Sequence, residues 1–286
     1  MVKTFILFKK GFHNICTFNL MEQDLLLQQP ASAEKSRVAI LSVIAAVFLT
    51  SIKLVVGLLT GSLGILSEAL HSGLDLLAAV ITLYAVKVAD KPADKNHSFG
   101  HGKFENFSAL IETLLLLITC VWIVYEAVHR LLSGYSGIDV NIWSYLVIGI
   151  AIIIDFGRSR ALNKVAKKHN SQALEADALH FSSDIWSSAV VLVGLGFVQI
   201  GWYWADAIAA IAVALLVFFV SYRLGKRAID VLLDRTPPGI EEKIVGILKP
   251  MESVKSFHDL KIRASGAEIF IQLNIHVDPQ MTIAEA

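Results

Sequence analysis

Two eight-residue stretches of this chain place an imidazole and a carboxylate four residues apart in otherwise apolar surroundings. One reads Glu68-Ala69-Leu70-His71-Ser72-Gly73-Leu74-Asp75, and the other Asp177-Ala178-Leu179-His180-Phe181-Ser182-Ser183-Asp184. On a helix, residues four apart lie about 40° apart around the axis and roughly 6 Å along it, so each stretch presents its His and Asp on one face. If the two helices run antiparallel and face each other, His71 comes towards the level of Asp184, and Asp75 towards His180. Four ligands then converge on one point. Two imidazole nitrogens and two carboxylate oxygens suit tetrahedral zinc, and borderline-soft imidazoles disfavour calcium or magnesium. Ligation needs neutral imidazoles and ionised carboxylates, so protons and metal compete for the same atoms. An exchange of metal for protons is the expected chemistry. Glu68 and Asp177 repeat in both stretches but sit at the edge of the ligand stripe, a position that supports ligands rather than ligating.

A second group lies in a polar connection, Asp94-Lys95-Asn96-His97-Ser98-Phe99-Gly100-His101-Gly102-Lys103. Asp94, His97 and His101 have a spacing that lets three ligands share a metal, and the flanking glycines let the backbone wrap. Towards the end of the chain, His258 and His276 fall on two strand-like stretches, with Asp259 and Asp278 nearby. Pairing of those strands would bring the groups close.

These residues need a scaffold, and hydropathy supplies one. Hydrophobic residues make up 55% of the chain and charged ones 17%, in long apolar blocks that belong in a lipid bilayer. A helical span needs roughly 20 apolar residues. Six stretches qualify: 38–60, 63–89, 104–131, 141–162, 174–200 and 203–224. Ionisable side chains inside a span cost about 2.5–3.5 kcal/mol each even on a lenient scale, so the two His/Asp groups mark a site. Basic residues follow the second span (Lys87, Lys91, Lys95, Lys103), the fourth (Arg158, Arg160, Lys164, Lys167, Lys168) and the sixth (Arg223, Lys226, Arg227). By the positive-inside rule these segments and both termini are cytoplasmic, and Trp143, Trp202 and Trp204 anchor the opposite interface. The scattered acids Glu112, Glu126, Asp155, Glu175 and Asp206 read as interfacial or helix-pairing groups.

The expected organisation is an N-terminal cytoplasmic extension over residues 1–35, a six-span domain over 36–234, and a small α+β cytoplasmic domain over 235–286. In that last domain Thr236-Pro237-Pro238-Gly239 breaks the chain, 240–251 forms an amphipathic helix, and 257–264 and 268–277 form a hairpin across Ser265-Gly266. Residues 281–286 read as a helix start, and the domain reads as cut short. A net charge of +0 offers nothing to displace counterions from a nucleic acid. Cys16 and Cys120 are too far apart in sequence to point to a disulfide framework or a thiolate site.

The six spans, the paired His-x-x-x-Asp stretches, the segment from Pro92 to Lys103 and the trailing domain together resemble the cation diffusion facilitator family over residues 36–286. That resemblance implies a homodimeric metal–proton antiporter in a cell membrane, exporting zinc and related ions, with a ferredoxin-like cytoplasmic domain that binds further metal. It places the transport site on His71, Asp75, His180 and Asp184, a loop site on Asp94, His97 and His101, and a domain ligand on His258. It gives Lys103 and Asp234 the task of locking the membrane halves together. Zinc is the preferred ion, with cadmium, iron, cobalt or manganese as further cargo, and no organic cofactor is implied. Asn274 stands where a second domain ligand His is often found, so a weakened domain cluster is expected.

Two other classes compete. A membrane metallohydrolase would need an open coordination position and a general base, and no His-Glu-x-x-His helix is present. A metal sensor without flux would use the same ligands, and only transport separates it from a carrier.

Overall fold

The structure is a computed structural model that describes residues 16–60, 63–133, 142–199, 203–280 and 282. Six long helices form on the six apolar stretches: α1 (Cys16–Thr60), α2 (Leu63–Ala89), α3 (Lys103–Ser133), α4 (Ile142–His169), α5 (Gln172–Gln199) and α6 (Tyr203–Leu232). Three of them, α3, α4 and α6, end later than apolarity alone predicts. α4 runs seven residues past the expected boundary, through Lys164, Lys167 and Lys168, because good helix formers continue the hydrogen-bond ladder beyond the apolar block. Among the described residues three helices are long and apolar enough to cross a membrane: Ala31–Leu59, Ala69–Ala89 and Lys103–His129. Charged residues interrupt the apolar run of α4 (Asp155, Arg158, Arg160) and of α5 (Glu175, Asp177, Asp184). The side chains of Trp143, Trp202, Trp204, Glu68 and Asp206, and nearly all of residues 281–286, lie outside what the structure describes.

Alanine governs the packing. Ala39 of α1, Ala79 of α2, Ala166 of α4 and Ala173 and Ala178 of α5 are almost fully buried and let the backbones approach, while Leu162, Leu174 and Phe181 fill the gaps. α1 packs along α2 and α4, α4 along α5, and α3 along α6. A second cluster of Ala109, Ala176, Leu224 and Ala228 seals α3 and α6 against α5. The outward faces carry exposed Leu70, Leu74, Ile118, Trp122 and Phe219. An apolar exterior over a partly polar interior is the arrangement a lipid solvent imposes.

After α6 the chain turns through Pro237 and Pro238, and Gly239 opens α7 (Ile240–Leu248). Strands β1 (Ser256–Ser265) and β2 (Glu268–His276) pair antiparallel. β1 carries one extra residue between His258 and Lys261, a bulge with Asp259 at φ +55°. In a regular strand Phe257 and Leu260, three apart, would face opposite ways. The bulge turns both onto the core of Leu248, Ile262, Ile271 and Leu273.

Candidate metal sites

α2 and α5 bring the two His/Asp stretches together. His180 Nε2 lies 2.9 Å from Asp75 Oδ1 and 3.7 Å from Asp184 Oδ2. His71 Nε2 lies 3.9 Å from both Asp75 Oδ1 and Asp184 Oδ1. Ligand atoms of Asp75, His180 and Asp184 all fall within 4.8 Å of one another. His180 is buried and His71 is the more exposed of the two, its side chain 38% accessible against 7%. The group therefore has one open flank, on the His71 side. Asp177, one turn before His180, is fully buried and accepts a hydrogen bond from Ser42 of α1 at 3.3 Å.

Arg158, counted in the sequence among the basic residues after the fourth span, is 8% exposed inside the bundle. Its guanidinium donates to Asp155 Oδ1 at 3.0 Å and to Ser42 Oγ at 3.1 Å, and it stacks 3.4 Å over the ring of Phe181, the neighbour of His180. The Asp155-x-x-Arg158 spacing was the available signal, since residues three apart on a helix face each other. The charge count along the chain could not see that α4 remains helical and buried there. Asp155 and Arg158 also border, with Ser72 and Asp75, a cavity of about 10 Å³ beside the site. Lys53 of α1, likewise buried, donates to Ser72 Oγ at 2.7 Å. Nothing in the spacing of α1 had marked Ser42 or Lys53.

The loop group is also assembled. His97 Nδ1 and His101 Nε2 each lie 3.3 Å from an oxygen of Asp94, and the two rings are 4.3 Å apart. Asp94 Oδ1 accepts the backbone N–H groups of His97 at 2.7 Å and Asn96 at 2.8 Å. The His97 amide above all, helped by that of Asn96, holds the Asp94 carboxyl below the usual carboxylate range, against an opposing effect of desolvation. Lys103 donates to Asp234 Oδ1 at 2.8 Å and to the carbonyl of Leu232 at 3.2 Å, tying the start of α3 to the end of α6.

The β1–β2 hairpin tip docks on this same loop. The Gly266 N–H donates to Asn106 Oδ1 at 3.1 Å, and Arg263 sits 3.5 Å over Phe99 and 3.7 Å from Asp234. A Cβ on Gly102 would stand 2.6 Å from the Ser265 carbonyl oxygen, and one on Gly266 2.9 Å from the Gly102 carbonyl oxygen. Backbone meets backbone there. The sequence reading did not find this contact, because its only mark is a pair of glycines 164 positions apart.

In the tail, His258 Nδ1 and His276 Nε2 are 3.1 Å apart with stacked rings, and Asn274 lies across from His258. Asn274 donates to Asp259 at 2.9 Å. His258 and His276 are thus adjacent, and Asp259 Oδ2 is 3.6 Å from His258 Nε2.

A helical bundle with an apolar exterior and clustered imidazole and carboxylate groups between two of its helices defines a membrane protein that handles cations. Residues 39–233 match the family described as the cation efflux transmembrane domain, and residues 236–286 match the cation efflux protein cytoplasmic domain. The cation-efflux pump FieF of Shigella flexneri is 32% identical over 256 residues, covering 88% of this chain and 84% of that protein. The pumps of the same name from Escherichia coli K12 and Salmonella arizonae are 32% and 30% identical, with the same coverage. The chain belongs to the cation diffusion facilitator family of divalent cation efflux transporters.

Proposed function

We propose that this protein exports zinc, in preference to other divalent cations, from the cytoplasm in exchange for protons, through a site of His71, Asp75, His180 and Asp184. The observation that carries the reading is the spacing of the four ligands. Zinc with ligands at about 2.0–2.1 Å has tetrahedral edges of roughly 3.3 Å, and the separations of 2.9, 3.7, 3.9 and 3.9 Å bracket that edge. Small side-chain rotations bring each atom into place. Two carboxylates cancel the charge of the ion at membrane depth, and two imidazoles favour zinc over harder cations. Protons arriving from the far side protonate the imidazoles and carboxylates and expel the metal, so the site carries the two species in opposite directions.

Six crossings support this geometry. α4, α5 and α6 have 28, 28 and 30 residues, or about 42–45 Å, enough for a core of about 30 Å. With six crossings both termini and the α7–β1–β2 domain are cytoplasmic, in an inner membrane, and the protein works as a homodimer. Asp94, His97 and His101 hold a second metal at the junction of bundle and domain. His258 belongs to a weakened domain site, because Asn274 occupies the register position across from it.

The test is zinc flux in proteoliposomes loaded with a pH dye. Zinc movement accompanied by opposite proton movement supports the reading. Zinc flux without proton movement removes the exchange, and binding without flux makes the protein a sensor.

A further inference from the structure

Glu112 lies in the first third of α3, outside both ligand groups, with none of its surface exposed. Its Oε1 accepts the hydroxyl of Thr82 on α2, and its Oε2 has no hydrogen-bond partner. The charged group that faces it from the neighbouring helices, among the described residues, is Asp177 of α5, also fully buried and with Oδ1 unpartnered. Among the described residues of α2, the group that reaches Glu112 is the Thr82 hydroxyl. α3 itself offers Ser108 and Thr113 on adjacent turns, and α6 approaches Thr113 with Gly225. The nearby guanidinium of Arg158 is engaged by Asp155 and donates to Ser42, whose hydroxyl in turn donates to Asp177.

A carboxylate with only neutral hydroxyls, those of Thr82 and Ser108, and no cation beside it is too costly in a water-excluded interior, and the group avoids that cost by holding a proton. Asp177, which faces Glu112, lies one helical turn of about 5 Å before His180. A divalent cation seated between His180 and Asp184 adds two positive charges just beyond Asp177. At interior dielectric that field favours the ionised form of carboxyls nearby.

We propose that Glu112 is a second proton-binding site of the transporter, separate from the metal ligands, which gives up its proton when a divalent cation enters between α2 and α5. The carboxylic acid becomes a carboxylate, the proton passes to water, and the group is reprotonated when the cation leaves. Such a proton travels with the exchange without occupying a ligand atom. The inference rests on the proton-exchange reading above.

The test counts protons released per zinc bound, by titration calorimetry of the detergent-solubilised protein in buffers of different ionisation enthalpy. Glu112→Gln is expected to bind zinc while releasing about one proton fewer than wild type. Equal release by wild type and variant overturns the inference and leaves proton exchange standing. No release by the wild type overturns both. Loss of zinc binding by a folded E112Q protein also overturns it, because Glu112 would then serve the metal directly. A second measurement does not depend on that variant. The zinc-induced infrared difference spectrum of the wild type is expected to lose a protonated-carboxyl stretching band. Thr82→Val, which removes the hydroxyl on Glu112, is expected to move that band, and an absent or unmoved band refutes the assignment.

Discussion

Replacing Gly102 by alanine tests whether the β1–β2 hairpin is held on the loop by backbone proximity. The new Cβ would meet the Ser265 carbonyl oxygen at 2.6 Å and its carbon at 2.8 Å. These are backbone atoms and cannot swing aside. The tip must retreat by roughly 0.8 Å to reach an ordinary contact of about 3.4 Å. That retreat stretches the Gly266 N–H to Asn106 Oδ1 bond from 3.1 Å to about 3.9 Å, beyond hydrogen bonding. Losing it removes about 1 kcal/mol and leaves a fully buried Asn106 oxygen unpaired, a further cost of about 1–3 kcal/mol. The stacking of Arg263 on Phe99 weakens as well. A docking loss of about 2–4 kcal/mol corresponds to roughly 30- to 1,000-fold. Hydrogen–deuterium exchange on the reconstituted protein reads it directly: the amides of residues 265–267 should exchange at least about 30-fold faster in G102A, while those of residues 269–273, inside the small core, change little. Unaltered exchange at Gly266 would show that the contact does not hold the tip, and the reasoning would be wrong.

Asp75→Ala and Asp184→Ala each delete a carboxylate from the proposed four-ligand site and should weaken zinc binding by at least about 100-fold, abolishing proton-driven zinc uptake into inverted vesicles; wild-type affinity in either variant would remove the residue from the site. Arg158→Gln leaves Asp155 buried without its cation and should cost about 3–5 kcal/mol of stability, seen as a lower unfolding midpoint in detergent. Arg158→Lys should recover only part of this, since an ammonium cannot both fork between Asp155 and Ser42 and stack on Phe181. The loop carries a pH signature. Because Asp94 is held below its ordinary value of 3.8, its turn with His97 and Asn96 is fully supported above that value and loosens as the pH falls through the depressed one. Amide exchange of Asn96 and His97 should therefore be flat from neutral pH down to about pH 4 after correction for intrinsic rates, and protection lost between neutral pH and pH 5 would contradict the assignment.

The pairing of α2 with α5 was legible because a helix has a fixed period. His71 with Asp75 and His180 with Asp184 could only share a face, and two matching pairs in apolar segments had few reasons to exist apart from each other. The loop triad was legible for the same reason of spacing, and its closure by the Asp94 turn follows from short-range hydrogen bonds. What stayed hidden depends on contacts between distant parts of the chain. A rule that counts charges along the sequence gave Arg158 a side of the membrane but no partners, and its environment is set by Ser42 and Phe181 on two other helices. The bulge at Asp259 left no mark in an alternation that already looked strand-like. Gly102 and Gly266 are individually ordinary, and only the fold makes them touch.

One buried lysine sets how the bundle can deform. Lys35 of α1 joins Asp90, just past the end of α2, and Glu105 in the first turn of α3, the latter at 2.9 Å. A single ammonium rivets the end of α2 and the start of α3 to the middle of α1. α3 has 31 residues, about 46 Å of length, so a tilt of about 10° around that rivet carries its opposite end through roughly 8 Å while the riveted end hardly shifts. Like the blades of a pair of shears, the helices can part widely only away from the pin.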